Sequence, residues 1–140
     1  MSEDNNKALL KVEIVTPESI FYSKNAYMVT MPGINGEMGV LFGHVSLLTG
    51  LQAGLVTIYG DGMQIIDRIF VTEGFAEITA QSAILLVQQA SFLADHDLTK
   101  VQSDLMNLKE DLELAKAEDE IILIEKNIQS IEALLAILQR

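Results

Sequence analysis

The sequence predicts an all-β module, a sandwich or a barrel, followed by an antiparallel α-helical hairpin. Two observations carry this. All nine glycines and both prolines, Pro17 and Pro32, lie before residue 95, where they punctuate short apolar runs as turn residues do. From Asp95 to Arg140 there is neither, and the apolar spacing changes from two to an alternation of three and four. The chain thus divides into residues 1–94 and residues 95–140.

In the first part, Lys11-Val12-Glu13-Ile14 alternates with period two and sets Val12 and Ile14 on one face of a strand. Tyr27 to Met31 is a second β-prone run. Leu55–Tyr59 and Met63–Val71 flank Gly60-Asp61-Gly62, a hairpin turn, and Phe75–Thr79 pairs with Ala83–Gln88 around Ala80-Gln81. The segment Met31–His44 reads as a glycine-rich loop, since its glycines permit tight turns and positive φ.

In the second part, Leu98, Val101, Leu105, Leu108 and Leu112 form one helical seam, and Ile121, Ile124, Ile128, Ile131, Leu135 and Leu138 another. The seams are out of phase. Extending the first would bury Asp119, Lys126 and Gln129, so the helix breaks near Ala117-Glu118-Asp119. Asp97 is the expected N-cap of the first helix, and Asp119 or Glu118 that of the second. Two short helices alone are marginal, so the pair is expected to lean on the β module or on a partner.

The formal charge of −11 repels nucleic acid phosphates and anionic lipid headgroups. No apolar run approaches the ~18 residues that span a bilayer. Met1–Lys7 is polar and acidic, unlike a signal or transit peptide. With no cysteine and two separated histidines, His44 and His96, a zinc site is not expected, and neither is any other metal or cofactor. No nucleotide-binding, metalloprotease or serine-hydrolase motif is present. Glu37 and His44 are the one candidate acid/base pair. No nucleophile or oxyanion donor set accompanies them, so the structural reading stands ahead: Glu37 hydrogen-bonds the loop and His44 packs at its edge. The residues describe an interaction protein rather than an enzyme.

Gly36-Glu37-Met38-Gly39-Val40-Leu41-Phe42-Gly43-His44-Val45-Ser46-Leu47-Leu48-Thr49 closely resembles the signature of the epsilon subunit of bacterial F-type ATP synthases. Val12-Glu13-Ile14-Val15-Thr16-Pro17 resembles that family's first strand, and Val71-Thr72-Glu73-Gly74-Phe75-Ala76-Glu77-Ile78 its Gly-Phe strand. The resemblance implies a flattened sandwich of about ten short strands and a C-terminal helix pair. It implies a non-catalytic rotor subunit at the cytoplasmic face of the bacterial inner membrane, bound to the gamma subunit and the c-ring. Glu37, Gly39, Gly43 and His44 would face those partners. The helices would contact the catalytic alpha and beta subunits transiently and regulate ATP hydrolysis. A second reading is a nucleotide-sensing regulator. Some members bind ATP through Asp-x-x-Arg-Ala, which here reads Asp97-Leu98-Thr99-Lys100-Val101. Lys100 keeps the charge but loses the planar guanidinium fork, so Asp97 and Lys100 are expected to form a weak ATP site at most. Phe42 stands where the family usually has proline.

Overall fold

The computed structural model describes residues 8–140; the reading of Met1–Lys7 as a non-targeting start lies outside them. Ten strands come first: β1 Leu10–Val15, β2 Ile20–Ala26, β3 Met28–Gly33, β4 Gly36–Leu41, β5 Leu47–Leu51, β6 Gly54–Tyr59, β7 Ile65–Val71, β8 Gly74–Ile78, β9 Ser82–Val87 and β10 Ala90–Phe92. A 3-10 turn, Leu93–Asp95, precedes α1 (Leu98–Leu114) and α2 (Glu118–Leu138). The chain divides into two compact units between Phe92 and Leu93.

Hydrogen bonding in the β unit runs β10-β7-β6-β3-β5-β8-β9-β1-β2, with β4 also paired to β3. The step from β3 to β5 is one residue pair, Gly33–Leu51. The path folds there into two five-stranded layers, β10-β7-β6-β3-β4 and β5-β8-β9-β1-β2. Every pairing is antiparallel except β1 with β9. Alternation fills the space between the layers. Leu10, Val12 and Ile14 of β1, Val29 and Met31 of β3, and Ala83, Leu85 and Val87 of β9 point inward and are buried. Each larger side chain contributes ~1.5–3 kcal/mol by leaving water.

The far ends of the path are joined by side chains. Tyr22 on β2 donates its hydroxyl to Asp67 on β7 at 2.5 Å, and the Lys24 ammonium lies 3.3 Å from the same carboxylate. Phe92 on β10 meets the rings of Phe21 and Tyr22 at 5.0 and 6.3 Å between centroids. Burial, and then the Asp67 hydrogen bond and charge, push the Tyr22 phenol well above its usual range.

Three expectations are corrected. The segment Met31–His44 is mostly strand: β3 and β4 form a hairpin around Ile34-Asn35, in register from Gly33–Gly36 to Met28–Leu41. Strand pairing satisfies backbone groups that a loop would leave to water, and glycine tolerates this conformation as readily as a turn. Met63 is not in β7. It lies in the β6–β7 loop with φ +65°, and Gly60 N–H closes that loop onto Gln64 O at 2.9 Å. In the helical unit Asp97 caps α1 as expected, accepting Lys100 N–H at 3.1 Å. The N-cap of α2 is Ala117, with no side-chain hydrogen bond. Glu118, Asp119 and Glu120 fall inside its first turn, where carboxylates favour the helix dipole without capping.

The seam residues of the helices are mostly half-buried; of them only Val101 is fully so, and the fully buried side chain of α2 is Leu134, beside the expected seam position Leu135. A helix pair covers each seam from one side, whereas a strand layer is covered over its whole inner face.

Candidate functional site

The segment singled out in the sequence forms the β3–β4 hairpin and the turn that follows. Its tip is strapped to β5. Ile34 N–H donates to Gly50 O at 3.1 Å, Gln52 N–H to Pro32 O at 2.9 Å, and the Gln52 side chain to Gly33 O at 3.0 Å. The Ile34 side chain lies over Gly50, where a Cβ would come within 3.2 Å of it. Gly36 takes φ +126° to leave the turn, a conformation that L side chains rarely adopt.

Glu37 sits opposite Pro32 and Gly39 opposite Thr30, both exposed on β4. Past Leu41 the chain turns. Gly43, at φ +89°, donates to Ala80 O at 2.6 Å, and His44 N–H returns to Leu41 O at 3.1 Å. The His44 Nδ1 lies 2.6 Å from Val45 O. A carbonyl only accepts, so Nδ1 is the donor in this contact. Glu37 and His44 are therefore at opposite ends of β4, with ~13 Å of extended chain between Glu37 and Leu41 at 3.3 Å per residue. Glu37 and Gly39 lie on the edge strand β4 and Gly43 and His44 in the turn that follows it, and the acid and the imidazole form no pair.

Asp97 and Lys100 lie one turn apart at the start of α1. The Asp97 carboxylate caps the helix, and the Lys100 ammonium is 3.5 Å from Asp104. Both charges already have partners within the helix. Among the described residues no group of three or more acidic, histidine or cysteine side chains is placed to hold a metal ion. No helix among the described residues is long and apolar enough to cross a membrane.

One feature escaped the sequence reading. Gly50, Phe75, Leu86 and Val15 align across β5, β8, β9 and β1. With Ile34 and Pro17 they line a shallow apolar groove of about 600 Å³. Phe75 is 59% exposed and Leu86 48%. The signal was present: the alternation that sends Ala76 and Ile78 inward puts Phe75 on the same outward face as Glu77. One exposed apolar residue is ordinary on a protein surface; a contiguous set such as Ile34, Phe75 and Leu86 is what marks a contact surface.

A two-layer β sandwich that presents a strapped hairpin at the edge of one layer, followed in the chain by a helix pair, defines a docking module. Residues 9–92 match the family model described as ATP synthase, Delta/Epsilon chain, beta-sandwich domain. An ATP synthase epsilon chain from Maricaulis maris is 35% identical over 111 residues, 79% of this chain and 82% of its own. One from Rhodospirillum centenum is 33% identical over 128 residues, 89% and 88% of the two chains. The chain belongs to the family of ATP synthase epsilon chains. Its fold also matches a chain in the mitochondrial ATP synthase of Euglena gracilis, with TM-score 0.78 and 22% identity, over 94% of this chain and 82% of that one. A chain in the central stalk/c-ring structure of Tetrahymena thermophila mitochondrial ATP synthase shares the fold at TM-score 0.59 and 13% identity, over 89% and 92%.

Proposed function

We propose that this chain is a non-catalytic central-stalk subunit of a proton-translocating ATP synthase, coupling rotation of the c-ring to ATP synthesis in the catalytic head. The β unit binds the gamma subunit and the c-ring through β4 and the turn that follows it, which carry Glu37, Gly39, Gly43 and His44. The subunit rides at the cytoplasmic face of the bacterial inner membrane, held there by protein contacts. The helix pair adjusts ATP hydrolysis through transient contact with the alpha and beta subunits.

The observation that carries this reading is the β3–β4 hairpin. Glu37, Gly39 and Gly43 are exposed, and the hairpin tip is held by one hydrogen bond to Gly50 of β5 and two from Gln52 just after it, so the edge is presented as a fixed surface. The sandwich is the part of the chain that the family model matches. The engagement of Asp97 and Lys100 within α1 weighs against the nucleotide-sensing alternative.

Glu37→Lys tests it. At an exposed strand position the change is expected to alter stability by less than ~0.5 kcal/mol. At an interface it replaces attraction with repulsion. Membranes carrying the variant should pump protons more slowly on ATP while the isolated protein melts normally. An unchanged pumping rate would remove Glu37 from the interface, and a large drop in melting temperature would make its role structural.

A further inference from the structure

We propose that the outer edge of β4 is a strand-addition site, at which an extended segment of a partner subunit pairs its main chain with Glu37, Gly39 and Leu41 and sets a lysine or arginine against the Glu37 carboxylate. The inference rests on the reading of this hairpin as an interface and specifies how that interface is built.

Among the described residues β4 pairs with β3 alone. The direction of its backbone groups follows from β3. Pro32 O accepts from Gln52 and Ile34 N–H donates to Gly50, so the even-numbered positions of β3 turn toward β5. Backbone groups alternate sides along a strand. The odd positions, Val29, Met31 and Gly33, therefore bond to β4, and their register partners are Val40, Met38 and Gly36. Glu37, Gly39 and Leu41 point their N–H and C=O groups the other way. Leu41 O is taken by His44 N–H. That leaves a row of three donors and two acceptors along an exposed edge, with the spacing a new strand requires.

Gly39 adds a second, independent observation. Nothing in this chain demands glycine there. Its φ is not in the left-handed region, and a Cβ would make only ordinary contacts, 3.7 Å to Met28 Sδ and 3.8 Å to Thr30 Cγ2. A glycine that neither turn nor packing requires leaves a low flank where another backbone can settle.

The occupant follows from charge. Glu37 is the only charged side chain between Met28 and Gly43, and it stands on the outward face beside the open edge. A basic residue on the incoming strand forms a charge-assisted hydrogen bond with it, while Leu41 and Phe42, 44% and 43% exposed, offer an apolar contact at the far end. A second copy of this chain, itself at −11, meets like charge instead.

The test is backbone amide exchange at single-residue resolution on the full chain, free and after assembly into ATP synthase stripped of its native subunit. In the free chain the amides of Glu37, Gly39 and Leu41 should exchange fast while Met38 and Val40 are protected; on assembly the first three should slow tenfold or more. Gly39→Pro deletes an outward donor and no bond to β3. It should melt like the native chain and assemble at least tenfold more weakly, while Gly39→Ala, which keeps the donor, should assemble within about threefold. A chain that assembles with those three amides still fast overturns the inference and leaves the proposed function standing. So does a well-folded Gly39→Pro that assembles normally. Protection that grows with the concentration of free chain would assign the edge to self-pairing and also overturn it. A chain that fails to assemble at all overturns the proposed function, and the inference with it.

Discussion

The β sandwich and the helix pair reach compactness by different means. In the sandwich, eighteen described side chains from nine of its ten strands form one buried cluster, most of them wholly inaccessible. In the helix pair only Val101 and Leu134 are fully buried, and Met106, Leu114, Ile122 and Leu123 are more than half exposed. The sandwich is joined by long-range pairing: β1 lies beside β9, and β2 is clasped to β7 and β10. The helices rest on local hydrogen bonds and one seam. Charge sharpens the contrast, because from Asp95 onward eleven acidic residues stand against five basic ones. A unit stabilised by its own core holds a surface in fixed geometry. A unit with a thin core and uncovered apolar side chains is responsive to what it touches.

The largest expected effect comes from separating the units. Residues 1–94 alone should keep a cooperative thermal transition and β-type circular dichroism. Residues 95–140 alone should lose most of their helical signal, because ordering costs ~1–2 kcal/mol per residue and the seam buries little. A stable, cooperative helical fragment would erase the contrast.

Core truncation sharpens the same point within the intact chain. Ile58 is wholly buried and Leu123 is 58% exposed. Ile58→Ala should cost ~2–5 kcal/mol, as large-to-small core changes do. Leu123→Ala should stay within about 0.5 kcal/mol. Denaturant titration of both variants decides it, and equal losses would show that α2 carries a core of its own.

The charge balance sets a ceiling on regulation. Basic residues in α2 are limited to Lys126, so the hairpin would be repelled by an acidic partner face, softened beyond a Debye length of ~8 Å, and would gain little from ionic contacts. Removing residues 119–140 in the assembled enzyme should raise ATP hydrolysis less than tenfold, or under ~1.4 kcal/mol of barrier. A larger rise would show that the Ile and Leu side chains of α2 inhibit strongly despite its charge.

The smallest effect lies at the sandwich clasp. The folded-state pKa of Tyr22 is raised by burial and by Asp67. At neutral pH the phenol is protonated in both states and the stabilisation is intact. Above the ordinary phenol value of ~10 the unfolded chain ionises and the folded one resists, so the sandwich loses stability as pH climbs. Tyr22→Phe should flatten that alkaline loss while costing ~0.5–1.5 kcal/mol at pH 7 for the lost hydrogen bond. An alkaline limb of unchanged slope would assign the loss to other groups.

Local pattern was enough for some of this. Alternation placed Val12 and Ile14 inward, the three-and-four spacing placed both helices, and Asp97 announced the start of α1, because each depends on neighbours within a turn or a strand. The hairpin of Met31–His44 was misread for a physical reason. Its glycines suit a turn as well as a strand, and only the strap from β5, sixteen residues after Ile34, makes the extended form the satisfied one. The strands β5 and β10 likewise lack strict alternation and exist because partners distant in sequence, β8 and β7, supply their hydrogen bonds. Clustering of Glu37, Gly39, Gly43 and His44 could be read from one short motif. Which of them face each other, which backbone edge stays open, and which apolar side chains gather into the groove beside Phe75 depend on register between strands. Register is a long-range property, and only the tertiary structure decides it.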